Sequence, residues 1–137
     1  MIRVYVNKVG EKPMMTQKTP HFPPGSVIVK QKWGIISSKN PNADKSQPPK
    51  LSASPELLTV MIKHRAGYAP ANGDWEYMLT DGAGEKVTQR GQIESCQGCH
   101  RPYKESDYVT RVYLPAEVRA ALQDLDSATN GKPKKSG

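Results

Sequence analysis

Apolar and polar residues alternate at the start of the chain, with Ile2, Val4 and Val6 set against Arg3, Tyr5 and Asn7. A period of two marks a half-buried strand, because successive side chains of an extended backbone leave opposite faces. "SVIVKQKWGI" (26–35) opens on β-branched residues and predicts a second strand. "LLTVMIKHR" (57–65), "DWEYMLTD" (74–81) and "DYVTRVYL" (107–114) predict a third, fourth and fifth. Residues 8–25 carry Pro13, Pro20, Pro23, Pro24 and Gly25 and predict loop, or at most a short helix. The polar run 37–55 predicts a surface loop, and residues 88–106 a short helix. In 115–128, Val118, Ala121, Leu122 and Leu125 recur at helical spacing behind Pro115, which predicts an amphipathic helix closing near Asn130 and Gly131. The pattern predicts an α+β domain over 1–128, with a sheet of about five strands and flanking helices, and a flexible basic tail at 129–137. The connections are mostly short, so the sheet should be antiparallel.

Composition changes this picture in two ways. Hydrophobic residues make up 36% of 137, with 12 Pro and 11 Gly, so the core should be modest and helped by something other than apolar burial. The net charge of +7 raises nucleic-acid binding as a reading. Lys and Arg are scattered, however, and there is one Phe and no stacking motif, so a basic surface suited to acidic partners or anionic substrates fits better. No stretch is long and apolar enough to span a membrane.

The chemistry is concentrated in "ESCQGCH" (94–100), which holds both cysteines and one of the three histidines. Three readings fit two cysteines so spaced with a histidine behind them. A zinc site would need two further ligands, and only His21 and His64 remain as histidines, with no second pair at zinc-finger spacing. A thioredoxin-like pair would need a βαβ setting, which the strands upstream do not suggest. Covalent attachment of a c-type haem asks only for C-x-x-C-H. On that reading one helical turn would place the thiols of Cys96 and Cys99 against one porphyrin edge, and His100 would ligate the iron. One such motif implies one haem c per chain. An ordinary electron carrier would add a sixth ligand, for which Met61 is the candidate. Such carriers are all-helical with the motif near the N-terminus, whereas here it follows four predicted strands.

"PGSVIVK", "NGDWEYML" and "ESCQGCHRPYKESDYVTRVYL", in that order and spacing, resemble the cytochrome P460 and cytochrome c′-β family. The resemblance implies an antiparallel sheet with flanking helices, a haem with a vacant or water-filled distal position, and often a homodimer. The family's N-terminal helix has no counterpart, so residue 1 is expected to fall inside the domain. In the P460 branch a lysine is bound to a haem meso carbon, and the matching position is Lys30. That branch also uses a distal carboxylate to remove protons from substrate, and Thr59 takes its place here, with Glu56 or Glu76 as conceivable substitutes. Thr59, Met61 and Lys63 share one face of their strand. The c′-β branch lacks the cross-link and binds small gases.

The expected function is therefore binding or oxidation of hydroxylamine or nitric oxide at an open iron position. The alternative is a gas binder or sensor without catalysis. A redox partner protein would be needed for turnover, and no nucleic acid is expected. Haem c is attached outside the bacterial cytoplasm, which implies a periplasmic or other extracytoplasmic location with any signal peptide removed.

Overall fold

The computed structural model describes residues 1–36, 41–42, 44–48 and 50–131. Among these residues, five strands form one sheet in sequence order: β1 (Ile2–Val6), β2 (Val27–Ile36), β3 (Lys50–Lys63), β4 (Trp75–Asp81) and β5 (Val87–Gly91). Every neighbouring pair is antiparallel, as expected where each strand feeds the next. Three helices flank it: α1 (Lys8–Thr16), α2 (Glu94–His100) and α3 (Ala116–Gly131).

The predicted α+β class holds, residues 8–16 take the short-helix form the sequence allowed, and two segments, 50–55 and 107–114, differ in detail. Residues 8–16 form a helix despite Gly10 and Pro13, because Asn7 caps it: its Oδ1 accepts from the Gly10 N–H at 3.2 Å and the Val27 N–H at 3.0 Å. The last part of the expected loop 37–55, from Lys50 onward, is strand, while residues 37–40, 43 and 49 of it lie outside the described residues. The fifth strand is not 107–114 but Val87–Gly91. Residues 107–114 are irregular, since Asp107 (φ 53°) and Tyr108 (φ 66°) both adopt the left-handed conformation, which no strand allows. The C-terminal helix continues through Gly131, and the rest of the expected tail, 132–137, lies outside the described residues.

Register sorts one face of the sheet into rows. Val4, Lys30, Thr59 and Leu79 are successive cross-strand partners. One row along lie Val6, Ile28, Met61 and Tyr77, and beyond them Lys63 opposite Trp75. Rows on one face are about 6.7 Å apart, two residues of strand rise. Met14 from α1, with Phe22, Tyr108 and Val109, covers the inner rows and forms the core with Ile28, Met61, Trp75 and Tyr77. Trp75 is wholly buried, and its burial alone contributes about 2–3 kcal/mol. The outer row is left uncovered by these core residues, and a cavity opens there.

Candidate haem site

The cavity has a volume of about 360 Å³. Its floor is the sheet, with Lys30, Thr59 and Leu79 among the lining residues. One wall is α2 with Cys96, Cys99 and His100, and Met14, Val109 and Thr110 complete it. Cys99 and Tyr113 are exposed at its mouth. Lys30 and Thr59, singled out in the sequence, are thus brought together with the C-x-x-C-H motif around one space. Glu56 and Glu76 are not. Glu56 lies over Gly34 outside the cavity, and Glu76 belongs to the other face of the sheet, where it accepts from Arg90 Nε at 2.7 Å and pairs with His64 Nε2 at 2.8 Å. Among the described residues, no Asp or Glu lines the cavity.

Short as it is, α2 is well anchored. Glu94 sits in its first turn, where a negative charge suits the helix dipole, and clamps Arg101 through two contacts of 2.8 and 3.0 Å. Arg101 Nε also reaches Asn72 Oδ1 at 3.3 Å, tying the helix end to the loop before β4. These contacts set the two thiols and the imidazole along one turn.

His100 is held in one tautomer. Its Nδ1 lies 2.7 Å from the carbonyl oxygen of Tyr108, which can only accept, so Nδ1 carries the proton and Nε2 keeps its lone pair. Burial, with the Lys30 charge adding, holds the imidazole below its ordinary pKa, against the opposing pull of the Tyr108 hydrogen bond. A neutral imidazole with a free Nε2, its other nitrogen bound to a carbonyl, is the form in which histidine ligates a metal. The Tyr77 ring packs against it at 5.1 Å between centroids. The buried Tyr77 hydroxyl, on the cavity lining, has no hydrogen-bond partner among the described residues, as befits a group facing a bound molecule.

The Tyr108 carbonyl is aimed by an unusual turn. Left-handed backbone costs about 1–2 kcal/mol per non-glycine residue, and two such residues follow one another here. Lys63 Nζ contacts both carboxylate oxygens of Asp107 at 2.8 and 3.0 Å, and the Phe22 N–H donates to the same carboxylate at 2.9 Å. Trp75 Nε1 donates to the Asp107 carbonyl at 2.8 Å. The Tyr108 ring lies where a Cβ on Gly73 would meet it at 2.5 Å. Tyr77, Met14, Asp107 and Tyr108 were not singled out by the sequence for this role.

These features decide between the chemical readings. Among the described residues, no three or more His, Cys, Asp and Glu side chains gather to hold a metal, so a protein-only zinc site lacks its ligands. A redox pair needs a thiol with a lowered pKa, whereas burial pushes the Cys96 thiol up, and the sheet contains no parallel βαβ unit. Two unpaired thiols beside a neutral imidazole, on the wall of a largely apolar cavity, fit a covalently held haem.

Among the described residues, no helix is long and apolar enough to cross a membrane. No match was found among curated proteins. The family model for cytochrome P460 matches residues 1–111, a span that takes in the whole sheet, Lys30, Thr59, the C-x-x-C-H turn and the Asp107–Tyr108 turn. The chain belongs to the cytochrome P460 family, which implies a c-type haem protein.

Proposed function

We propose that the protein is a mono-haem c protein with an open axial position that binds small nitrogen compounds, nitric oxide first among them. The observation that carries this reading is the makeup of the cavity: His100 on one wall, Lys30 and Thr59 on the floor, and no carboxylate in the lining. Haem held there would supply an iron coordination position and a one-electron couple.

The chain's own residues divide the work. Cys96 and Cys99 would each add across a vinyl group, sulfur to one carbon and the thiol hydrogen to the other, with no change in electron count. His100 would ligate through Nε2, its ring orientation kept by Tyr77 and Tyr108. Met61 pairs directly with Tyr77 and so lies in the row beside His100. It thus lies beside the ring that packs against His100, and not across the cavity where a low-spin electron carrier would need a second ligand. Thr59 can give a bound ligand one hydrogen bond, but a hydroxyl does not collect substrate protons near neutral pH. Binding is thus better supported than oxidation of hydroxylamine.

Oxidation is the second reading, and the position of Lys30 on the cavity floor favours it. A bond from Lys30 Nζ to a meso carbon would replace one N–H and one C–H, a two-electron oxidation for which a peroxide is a sufficient oxidant. Turnover would then pass electrons to a partner protein at the cavity mouth. Because haem c is attached outside the bacterial cytoplasm, either reading carries an extracytoplasmic location.

Denaturing mass spectrometry and the visible spectrum of the holoprotein test the proposal. Haem retained through two thioethers, with a spectrum that changes on adding nitric oxide and no hydroxylamine-dependent reduction of an artificial acceptor, is the expected result. A low-spin, six-coordinate spectrum indifferent to nitric oxide would overturn it. A third protein–haem bond, lost in Lys30→Ala, together with hydroxylamine turnover, would install the second reading instead.

A further inference from the structure

The Lys63–Asp107 ion pair lies outside the cavity lining, on the row that carries Trp75, and has no role in the chemistry described so far. Both side chains are nearly out of solvent, 13% and 11% exposed. Lys63 spends its donors on Asp107 and on the Gly73 carbonyl, at 2.6 Å, and its ammonium lies 5.0 Å from the centre of the Trp75 ring. Asp107 in turn accepts from Lys63 and Phe22 through its side chain and from Trp75 through its backbone. All of this converges on one residue, and it is a left-handed one. Strained backbone of this kind persists only where its surroundings over-determine it.

What the strain achieves is visible one residue later. Tyr108 is left-handed too, its N–H donates to Tyr103 O at 2.8 Å, and its own carbonyl meets His100 Nδ1 at 2.7 Å. An extended 107–114 segment would alternate its carbonyls along a ladder. The turn instead delivers one carbonyl to the imidazole Nδ1. A ligating histidine whose other N–H is hydrogen-bonded is fixed in orientation and made a stronger donor to the metal.

We infer that Lys63 and Asp107 are positioning residues for His100: their ion pair locks the left-handed turn whose Tyr108 carbonyl orients the imidazole and raises its basicity. The inference rests on the haem-ligand role of His100. It predicts that a side-chain change about two rows from the cavity floor is read at the iron.

The test uses the haem-loaded protein, with the iron–imidazole stretching band of its reduced form measured by resonance Raman spectroscopy and its midpoint potential measured by titration. Asp107→Asn keeps the shape and removes the charge. Lys63→Gln keeps a donor for Gly73 and decides the matter where Asp107→Asn yields too little holoprotein. Both should move the band to lower frequency and the potential upward. Glu76→Gln, which breaks the pairing of a buried carboxylate with the exposed Arg90 on the opposite face, should move neither. Unchanged band and potential in the folded Lys63 and Asp107 variants, beside a wild type that shows the band, would overturn the inference and leave the ion pair merely structural. A wild type with no covalent haem or no iron–imidazole band would instead overturn the reading of His100 on which it rests.

Discussion

Lys30 and Thr59 are direct partners across the β2–β3 ladder, and both line the cavity. Opposed side chains in such a pair have Cβ atoms about 4.5–5.5 Å apart, so a group placed on either can reach the same small ligand. Under the proposed function, Thr59 stands where a proton-removing carboxylate would be needed. Thr59→Glu should therefore add the missing base. General-base catalysis typically contributes about 10²–10⁴-fold, and hydroxylamine-dependent reduction of an artificial acceptor is expected to rise by at least about 10²-fold. A variant that binds nitric oxide normally but shows no such rise would mean that proton removal at this position is not what limits oxidation.

His100→Gly should separate attachment from ligation. The two thiols stay, so haem is expected to remain covalently bound, while a space opens beside the Tyr77 ring and next to the Tyr108 carbonyl. Free imidazole is expected to fill it and to restore the wild-type visible spectrum in a saturable titration. A variant spectrum that never changes with imidazole would show that His100 does not ligate the iron.

How much of this was legible beforehand depends on what each segment's pattern reports. β1 and β4 were readable because their cavity faces are apolar and the period of two survives, and β2 because it opens on a run of β-branched residues. β5 was not, because Val87 to Arg90 are all exposed and show no alternation. Its available signal was the Gly-containing turn after Asp81 followed by the β-branched pair Val87 and Thr88. Residues 107–114 misled for the converse reason. Their Tyr and Val content reports burial, which Tyr108 and Val109 satisfy, but not extension. What bends them is an ion pair with Lys63, 44 residues away, and no local pattern carries that. The thiols and His100 stood out because their chemistry lies in contiguous residues. The groups that aim His100 are scattered over four segments.

Acid should act through Glu76. The hydrogen bond from Arg90, with His64 adding and burial opposing, holds its carboxyl below the ordinary 4.5. A depressed folded-state pKa means that the unfolded chain binds more protons in this window, so the stabilisation is full above about 4.5 and is lost as pH falls through the folded value. At neutral pH, Glu76→Gln is expected to cost about 2 kcal/mol, the scale of a hydrogen bond to a charged group. Urea unfolding of both proteins from pH 7 to pH 3 should show the gap between them shrinking below about pH 4.5. Glu94, whose pKa is also lowered, is common to both proteins and cancels in the difference. A gap that stays constant with pH would remove Glu76 from the acid response.

Gly73 supports the Asp107–Tyr108 turn from the other side, and its replacement should be felt at both levels. Its φ is +70°, and an added Cβ would meet Tyr108 Cδ2 at 2.5 Å and Cε2 at 2.7 Å. Gly73→Ala therefore combines left-handed strain, about 1–2 kcal/mol, with overpacking, typically about 1–3 kcal/mol, so a loss of about 2–5 kcal/mol is expected. The aromatic ring cannot yield freely. Its hydroxyl donates to Ala71 O at 3.2 Å, and its backbone is held at Tyr103. The displacement should pass to the Tyr108 carbonyl and loosen its hydrogen bond to His100. Thermal unfolding of the haem-loaded variant would measure the first effect, and the iron–imidazole band the second. Tyr108→Ala in the Gly73→Ala background should relieve the clash, so the two substitutions should cost less together than the sum of each alone. Additive losses would place the damage in the Gly73 backbone and not in its contact with Tyr108.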